Sequence, residues 1–582
     1  MCQTLGSALG SRILARVAVF WGGSLASQEA IREAIRFRER SFPIPTPRAL
    51  LVYPRFGPAS FWNYRATCEA VGARYSATPL GLITVAALLP ASWEVRLVDC
   101  NVEELRAEDL DWAEVVMTGG MLPQQNDTLR LMALGRAAGK KVVVGGPDVT
   151  ARPEVYAAAD FQVRGEAEEV LGTFAADYEA GAASGVYQAG DFPDVTRSPV
   201  PRFDLLRLQH YMNVGVQFSR GCPFDCEFCD VVELNGRVPR TKTVEQVLRE
   251  LDALLALGWR GHVDFVDDNL IGNKKAAKPL LRALAVWLRD RRHPFEFSTE
   301  ASINLADDPE LLALMRAANF FAIFVGIETP DTASLLATHK LQNTRRDLAE
   351  SVRTIHRAGI FVNAGFIVGF DAERGSIADA MVSCIEASAV PVCMVGLLYA
   401  LPRTRLAVRL AAEGRLYPHE VKSDDGDQCT SGLNFDTVRD RAEVLADYRD
   451  VLARIYAPAA FFGRVRRVGR DLDRSEYRLR QPLRNVLRDL RAFGRIVVRL
   501  GVRDRAARGP FWGAVLDTLL HNPRALKITV SFAALYLHLG PFARFLSVRM
   551  EAQQREAAAQ SRSRSAAARP EQRTVAASAR GG

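Results

Sequence analysis

The chain has 582 residues, of which 48% are hydrophobic and 24% are charged, and its formal net charge is +8 at pH 7. This length predicts about three to four domains, and the composition excludes a fibrous or wholly disordered protein. Six of the nine cysteines are scattered singly, so we expect free thiols in a reducing cytoplasm and no disulfide framework.

The first domain is predicted to be a doubly wound α/β fold. Residues 1–47 form an extension for which we expect no signal peptide, because no charged segment, long apolar run and cleavage site follow one another there. From residue 48 to 190, five β-rich runs alternate with helical patterns. This alternation predicts a parallel sheet of the flavodoxin or Rossmann type, whose ligand lies beyond the carboxyl ends of the strands.

Small and polar residues gather at the predicted carboxyl ends of these strands. They are Asp99, Asn101, Thr118, Gly119, Gly120, Gly145, Gly146 and Pro147. Glycines there allow a backbone to approach a large ligand closely, although each one alone also fits a simple tight turn. The pattern across the strand ends is therefore more informative than any single position.

The remaining chain is predicted to form a barrel, a helical region and a tail. Six strand and helix units between residues 205 and 400 predict a partial (β/α)6 barrel of the TIM type, with its chemistry at the carboxyl ends of the strands. Residues 401–548 are expected to be helical and 549–582 disordered. The uncharged run 528–543 has 16 residues, short of the ~20 that span a bilayer, so we expect a buried or interfacial helix.

Basic residues are concentrated between positions 461 and 510, which hold 15 arginines and 5 acidic residues. Such a segment can bind nucleic acid or anionic lipid. Arginines interleaved with Leu and Val at helical spacing also describe an ordinary amphipathic helix with a solvated charged face. Both interpretations stay open at the level of sequence.

Three cysteines, Cys222, Cys226 and Cys229, lie close together in the stretch SRGCPFDCEFCD. A structural zinc site needs four ligands, and the nearest histidines in sequence are the distant His210 and His262. Three thiolates can instead hold a [4Fe–4S] cluster and leave one iron open to an outside ligand. Their position after the first barrel strand predicts that this open iron faces the mouth of the barrel.

The spacing C-x3-C-x2-C, with Phe228 before the last cysteine, resembles the signature of the radical S-adenosylmethionine superfamily. The resemblance implies that the three cysteines ligate three irons, that S-adenosylmethionine chelates the fourth, and that Phe228 lies near the adenine. Further residues at predicted strand ends resemble the family's cofactor contacts, although each alone also fits a turn or a cap. They are Asp267, Asp268, Asn269, Glu300, Gly326, Glu328, Gly365 and Gly369.

The same resemblance implies a reaction and one departure from the family pattern. An electron from a flavodoxin or ferredoxin passes through the cluster into S-adenosylmethionine, and the resulting 5′-deoxyadenosyl radical removes hydrogen from an unactivated carbon. In LPRTRL, Arg403 stands where relatives often have glycine, so no ligand role is assigned there.

The front domain joined to this barrel resembles the cobalamin-binding class of radical S-adenosylmethionine enzymes, and residues 411–525 resemble the helical region of a subgroup that includes hopanoid C-2 methylase. The resemblance implies cobalamin near residues 118–125 and 145–148. The D-x-H-x-x-G motif that supplies an axial imidazole in other cobalamin proteins does not occur in the sequence. We therefore expect no histidine from that motif on the cobalt.

The leading functional hypothesis is a cytoplasmic methyltransferase that acts on a small molecule or a lipid, hopanoid-like in kind. One alternative is a radical cyclase or oxidoreductase of the type that forms a chlorophyll ring. Another is a non-catalytic, metal-dependent protein that binds nucleic acid. Under the leading hypothesis, we expect no nucleic-acid partner. The run 528–543 and the basic segment before it would suit contact with an anionic membrane surface.

Overall fold

The computed structural model describes residues 46–57, 60–418, 430 and 432–567. The chain divides into two compact units, one of residues 1–47 and 92–94, the other Arg48–Ala91 with Val95–Gly582. Of the first unit, residues 46–47 and 92–94 are described, so almost all of the predicted N-terminal extension lies outside the described residues. Apart from Glu94, the domains and the site below belong to the second unit.

The front domain is built on a six-stranded sheet. Its strands are β1 (Arg48–Tyr53), β2 (Glu94–Asp99), β3 (Val115–Gly119), β4 (Lys141–Gly145), β5 (Phe161–Arg164) and β6 (Gly185–Gln188), in the order β2-β1-β3-β4-β5-β6. The pairs from β1 through β6 are parallel. This order confirms the predicted doubly wound fold of the flavodoxin type and puts the switch point between β1 and β3, where such folds bind ligands.

The strands at the centre of this sheet are almost continuously apolar. Val115 and Val116 in β3, and Val142 to Val144 in β4, are buried, as expected for a parallel sheet covered by helices on both faces. The helices of the domain are α1 (Arg65–Val71), α2 (Leu80–Leu88), α3 (Ala107–Trp112), α4 (Gln125–Ala137), α5 (Pro147–Ala151) and α6 (Leu171–Glu179).

The second sheet also has six strands. They are β7 (Val214–Val216), β10 (Gly261–Phe265), β11 (Phe295–Glu300), β12 (Phe320–Glu328), β13 (Phe361–Val368) and β14 (Cys393–Leu397). All neighbouring pairs are parallel, in the order β14-β13-β12-β11-β10-β7. The sheet follows the chain order with β7 and β14 at its edges, as predicted for a partial (β/α)6 barrel.

A short antiparallel pair, β8 (Ser219–Arg220) and β9 (Arg240–Thr241), flanks the cysteine-containing loop. The helices that connect the barrel strands and flank this loop are α7 (Val231–Asn235), α8 (Val244–Ala256), α9 (Lys274–Asp290), α10 (Pro309–Ala317), α11 (Thr332–Ala337), α12 (Leu348–Arg357) and α13 (Ala378–Ser388).

The C-terminal region is helical, as predicted. It contains α14 (Arg405–Ala412), α15 (Arg441–Ile455), α16 (Pro458–Asp471), α17 (Leu483–Ile496), a π-helical segment (Val497–Arg503), α18 (Arg505–His521) and α19 (Leu526–Ala567). The aromatic ring of Tyr536 in α19 lies 4.7 Å from that of Phe461 and 5.1 Å from that of Phe462. Aromatic packing of this kind joins α19 to α16.

Helix α19 differs from the sequence prediction in its length. It includes the run 528–543 but continues to Ala567, so the expected disorder from residue 549 onward is wrong for its first part, while 568–582 lie outside the described residues. The tail begins with Ala, Gln, Glu and Arg, which are good helix formers, and Arg555 pairs with Glu551 one turn earlier. Residues Pro523–Arg555 would be long and apolar enough to cross a membrane, but 67% of their apolar window is buried inside the protein.

Candidate cluster and cofactor site

The loop that carries the three cysteines begins with a glycine in the left-handed region. Gly221 has φ +95°, and a Cβ there would lie 2.9 Å from the carbonyl oxygens of both Asn235 and Gly236. Glycine is therefore required by backbone angle and by space. The residue directly before Cys222 lets the chain turn sharply from β8 into the loop.

Two carboxylates from the end of β10 hold this loop in place. Asp267 accepts hydrogen bonds from the Phe218 N–H at 2.8 Å and from the Ser219 N–H and hydroxyl at 2.9 and 2.8 Å. Asp268 accepts from the Gly221 N–H at 2.7 Å. Burial and the neighbouring Asp268 raise the pKa of Asp267 to about 7, although these donors lower it.

These contacts give both carboxylates a role within the protein. The cofactor-binding role that the family resemblance implies for Asp267 and Asp268 stays a prediction, since their oxygens already accept from the chain itself. What the structure shows is that they brace the segment leading into Cys222.

The surroundings of the cysteines fit a bound cluster. Burial raises the pKa of each thiol, most strongly for Cys229, so thiolates are favoured only when a cation is near them. The Asn269 side-chain amide donates to Cys222 Sγ at 3.9 Å, and that of Gln342 to Cys226 Sγ at 3.8 Å. Cysteine thiolates supported by N–H donors are the ligand set that iron–sulfur clusters use.

In the part of the chain that the structure describes, no fourth ligand of the type that zinc requires joins the three cysteines. Within the described residues, no three Cys, His, Asp or Glu side chains converge as a single metal ion would need. A cubane cluster spreads its ligands over separate iron atoms. The donor set therefore matches a [4Fe–4S] cluster with one iron left for S-adenosylmethionine.

A buried ion pair lies beside the cysteines. The Nζ of Lys340 is 2.7 Å from the Oε1 of Glu328, with the two side chains 13% and 9% exposed. Although burial lowers the pKa of Lys340, the negative charges of Glu328, Cys226 and Cys229 raise it above its ordinary value. Its cation in turn lowers the pKa of all three cysteines.

The position of Glu328 explains the nearby glycine. Glu328 has φ +66° and follows a bulge in the β12 and β13 pairing. A Cβ on Gly326 would lie 2.3 Å from Glu328 Oε1 and 2.9 Å from Lys340 Nζ. Gly326 thus makes room for the ion pair, and the role of both residues in binding S-adenosylmethionine stays a prediction.

Glu300, at the carboxyl end of β11, has a different environment. Its side chain makes no hydrogen bond or ion pair with any described residue and is reached by solvent. Desolvation at the barrel mouth raises its pKa to about 8, with Asp264, Asp268 and Asp267 adding to the shift and Lys340 opposing it. A carboxyl group with this freedom can accept a hydrogen bond from a ligand's hydroxyl or ammonium group.

Phe228 lies near the carboxyl end of β13, the strand that contains Gly365 and is followed directly by Gly369. The rings of Phe228 and Phe370 are 5.8 Å apart. Gly369 has φ +108°, and a Cβ there would lie 3.0 Å from Leu433. Gly365 lies opposite Gly326 in the β12 and β13 register, where a Cβ would lie 3.1 Å from the ring of Phe324.

At the carboxyl ends of β3 and β4, the front domain brings its predicted residues close together. A Cβ on Gly119 would lie 1.9 Å from the carbonyl oxygen of Gly145, and one on Gly146 would lie 3.3 Å from the Gly120 nitrogen. Thr118, paired with Val52 across the switch point, has a buried hydroxyl without a partner among the described residues. A buried, unpaired hydroxyl at the edge where flavodoxin-type folds bind ligands fits a cofactor such as cobalamin.

Other predicted polar residues of the front domain are used internally. Asp148 accepts from the Gln125 amide at 2.7 Å, the Tyr156 hydroxyl at 2.5 Å and the Arg152 guanidinium at 2.9 Å. The Asn101 side chain accepts from the Phe56 N–H at 3.0 Å. These residues shape the carboxyl edge of the sheet.

Ion pairs connect the front domain to the cysteine loop. Arg220, two residues before Cys222, contacts Glu166 at 2.5 Å and Glu168 at 2.7 Å, and Arg240 pairs with Glu166. The two glutamates follow β5 of the front sheet. The carboxyl edge of that sheet therefore faces the loop that carries the three cysteines.

Sequence reasoning missed several residues of this site. Lys340, Gln342, Arg220 and Glu166 have no recognisable motif, because their partners are distant in sequence. The one sequence signal for any of these residues was the position of Arg220, directly before the glycine that the loop requires at position 221. Arg403 has φ +69°, the conformation that glycine prefers, and its guanidinium donates to the Thr150 carbonyl at 3.1 Å.

Comparison with known families gives three matches along the chain. The B12 binding domain matches residues 70–175, the Radical SAM superfamily residues 216–380, and a domain of unknown function, DUF4070, residues 404–552. These ranges follow the front sheet, the barrel and the helical region in order.

Two relatives and one solved structure extend these matches. An uncharacterized methyltransferase of Synechocystis is 44% identical, over 84% of this chain and 90% of the relative. Hopanoid C-2 methylase of Rhodopseudomonas palustris is 37% identical, over 72% of this chain and 78% of the relative. The cobalamin-dependent S-adenosylmethionine radical enzyme OxsB, with aqua-cobalamin bound, shares the fold with a TM-score of 0.55 and 15% identity, covering 88% of this chain and 80% of OxsB.

Proposed function

The chain belongs to the cobalamin-dependent radical S-adenosylmethionine methyltransferases, the family of hopanoid C-2 methylase, and from this premise we propose that it methylates an unactivated carbon of a polycyclic, hopanoid-like lipid. The support for a lipid substrate is the 37% identity to hopanoid C-2 methylase over 78% of that protein. The methyltransferase class is favoured over the ring-forming cyclase and the nucleic-acid-binding protein. The reason is that the two long matches, to the Synechocystis protein and to hopanoid C-2 methylase, are both to proteins named for methyl transfer.

The observation that carries the proposal is the arrangement at the barrel mouth. The cysteine loop is tied through Arg220 to Glu166 and Glu168, which follow a strand of the cobalamin-binding domain. Both cofactors would thus be held at one cavity. When bound, the cluster, S-adenosylmethionine and cobalamin supply the hydrogen-abstracting radical and the methyl group.

The chain's own residues bind, position and electrostatically support these groups. Cys222, Cys226 and Cys229 would hold the cluster, and Asp268 keeps their loop in place through the Gly221 N–H. The Lys340 cation and the Asn269 amide offset negative charge on the sulfurs. Glu300, Glu328 and Phe228 are the proposed contacts of S-adenosylmethionine.

In the front domain, Thr118 and the glycines of β3 and β4 are the proposed contacts of cobalamin. The Thr118 hydroxyl can donate to or accept from the cofactor, since it has no partner among the described residues. We further propose that a flavodoxin or ferredoxin supplies electrons and that the enzyme works in the cytoplasm, at the surface of the membrane that holds its substrate.

The test is anaerobic purification followed by turnover. Iron, sulfide and corrinoid are measured first, and the protein is then incubated with reductant, S-adenosylmethionine labelled with deuterium in its methyl group, and a lipid extract from a hopanoid-producing host. We expect 5′-deoxyadenosine, S-adenosylhomocysteine and a polycyclic lipid that carries the labelled methyl. Cys226→Ser should abolish all three products, while Cys384→Ser, at a half-buried thiol outside the loop, should abolish none.

Each contrary result rejects a different part of the proposal. A product that lacks the labelled methyl group contradicts methylation and favours the cyclase. Protein without corrinoid contradicts the assignment of the front domain. A labelled product that is not a polycyclic lipid leaves the reaction in place and rejects the substrate class.

A further inference from the structure

Helix α17 has its apolar side turned outward. Leu483, Val486, Leu487 and Leu490 follow the i, i+3, i+4, i+7 spacing of one helix face, and they are 73%, 41%, 45% and 61% exposed. Helical geometry puts Ala492 and Ile496 on the other side of the helix, and these are the buried residues of α17. The amphipathic helix predicted from the arginine-rich sequence is therefore present, but with its larger apolar face exposed.

Polar contacts hold the helix in this orientation. The Arg495 guanidinium donates to the Ala70 carbonyl at 2.8 Å, which ties the C-terminal end of α17 to helix α1. The Arg484 guanidinium donates to the Gly258 carbonyl at 3.4 Å, which ties the N-terminal end to the barrel. The helix thus uses arginines to attach to the protein and leaves its leucines free.

A cavity of about 570 Å³ lies at the N-terminal end of α17. It is lined by five arginines together with Leu483, the first residue of the exposed apolar face. The arginines are Arg260, Arg291, Arg292, Arg480 and Arg484. This places a basic, concave surface next to the start of the leucine-rich face.

Asp252 balances only part of the charge of this cavity. Arg291 pairs with Asp252 at 2.8 Å, whereas the other four arginines have no carboxylate at ion-pair distance within the described part of the chain. Burial and the adjacent Arg484 both lower the pKa of Arg260. A cavity with such an excess of guanidinium groups is suited to phosphate.

We propose that the outward face of α17 inserts into the interface of an anionic phospholipid bilayer and that the adjacent arginine cavity binds lipid phosphates. Leucines at the centre of such a face enter the acyl boundary while arginines at its edge remain at the level of the headgroups. Arg488 and Arg491, both exposed, lie between the leucines in sequence and would contact the same headgroups.

A bilayer accounts for this face better than a second copy of the chain does. In a two-fold symmetric dimer, the same patch meets itself, which would bring Arg484, Arg488 and Arg491 of one protomer near those of its partner. An anionic surface instead pairs every arginine with the opposite charge. The inference deepens the membrane contact in the proposed function and rests on it, but it requires no turnover to be tested.

The experiment is flotation of the full-length, reconstituted protein with vesicles. One set contains phosphatidylcholine alone and the other an equimolar mixture of phosphatidylcholine and phosphatidylglycerol. We expect flotation with the anionic vesicles, weakened by salt. The double variant Leu487→Asp and Leu490→Asp should lower the partition coefficient at least ~tenfold, since it removes the apolar area that enters the bilayer. Val408→Asp, at a valine 65% exposed on α14, is the matched control and should float as the unaltered protein does.

Hydrogen exchange on the unaltered protein gives a second readout that needs no variant. The backbone amides of residues 483–496 are already hydrogen-bonded in the helix, so their exchange should slow further with anionic vesicles and stay unchanged with phosphatidylcholine vesicles. Exchange that anionic vesicles leave unchanged would show that the helix does not contact them and would overturn the proposal. A dimer that the double aspartate variant dissociates, with no preference for anionic vesicles, would overturn it in favour of self-association.

Turnover in detergent separates this inference from the proposed function. If vesicle binding is lost in the double variant but 5′-deoxyadenosine is still formed, the docking surface is supported independently of catalysis. If anionic vesicles bind the double variant as well as they bind the unaltered protein, the proposed docking surface is rejected, whatever substrate the enzyme uses.

Discussion

The Nζ of Lys340 lies 2.7 Å from the Oε1 of Glu328, in a largely buried position beside the cysteine loop. This cation compensates Glu328 and also lowers the pKa of Cys222, Cys226 and Cys229, which burial raises. One residue therefore stabilises both the fold of the barrel mouth and the thiolate form of the proposed cluster ligands.

Replacing Lys340 with methionine should destabilise the protein and reduce its iron content. Removing one partner of a buried pair costs about 3–5 kcal/mol, because the remaining charge has lost its compensation. Thermal unfolding and iron analysis measure the two effects. The double variant Lys340→Met with Glu328→Gln should recover thermal stability but not iron content, and equal iron in all three proteins would contradict the role of the cation.

The bond from Asn269 to Cys222 should tune the cluster. N–H donors to cluster sulfurs influence the reduction potential, and loss of a donor removes stabilisation of the more negative, reduced state. Asn269→Ala should therefore shift the potential to a more negative value in a redox titration followed by electron paramagnetic resonance. Ser302→Ala is the control, since it removes the 3.1 Å bond from Asn269 to Ser302 but keeps the donor to sulfur. The same shift in both variants would reject the assignment.

The close approach of β3 and β4 makes a prediction for the front domain. Gly119→Ala would put a Cβ 1.9 Å from the Gly145 carbonyl oxygen, so the strands must separate, at a cost of about 1–3 kcal/mol or more. We expect a lower melting temperature and weaker corrinoid binding, and the binding is measured by the absorbance of the corrinoid. Gly172→Ala is the matched control in α6, where no atom lies within 4 Å of the new Cβ and alanine should stabilise the helix by about 0.5–1 kcal/mol. Unchanged corrinoid binding in Gly119→Ala would contradict the proposed site.

Glu300 makes stability depend on pH in a defined direction. Its pKa is raised from 4.5 to about 8 by desolvation at the barrel mouth and by nearby carboxylates, so the folded state holds the proton more tightly than the unfolded state does. The contribution of this group to stability is therefore present below pH 4.5 and is lost as the pH rises to 8. In the protein without cofactors, Glu300→Gln should flatten the fall of the melting temperature across this window.

A second glutamate provides the control for the pH experiment. Hydrogen bonds from Arg357 and Arg353 lower the pKa of Glu350, so its contribution changes only at more acidic pH. Glu350→Gln should leave the slope between pH 5 and 8 unaltered. An equal slope in the unaltered protein and in Glu300→Gln would show that Glu300 does not carry the effect.

Much of the architecture was predictable from local patterns. Alternating β-rich and helical segments indicated both parallel sheets, because strand and helix periodicities are properties of neighbouring residues. The three cysteines were recognisable for the same reason, since one loop supplies all of them. The extent of α19 was not, because the alanine-rich composition of residues 549–567 fits a disordered tail as well as a helix.

The roles of individual polar residues were harder to predict from the sequence. Asp267 and Asp268 lie at a strand end as predicted, yet their oxygens hold Phe218, Ser219 and Gly221. A sequence motif predicts a carboxylate at the mouth of the barrel. It does not indicate which hydrogen-bond donors of the folded protein that carboxylate contacts. Asp148 is a similar case, since Gln125, Arg152 and Tyr156 already occupy its oxygens.

The type of fold, the three-cysteine motif and the amphipathic character of residues 483–496 could be predicted from the sequence alone, because each depends on spacing within a short segment. Three features emerged only from the folded chain: the leucines of α17 face outward, Lys340 lies beside the cysteines, and Arg220 pairs with Glu166. Periodicity specifies which residues share a face, whereas burial of that face depends on segments that are distant in the chain and meet only when the protein folds.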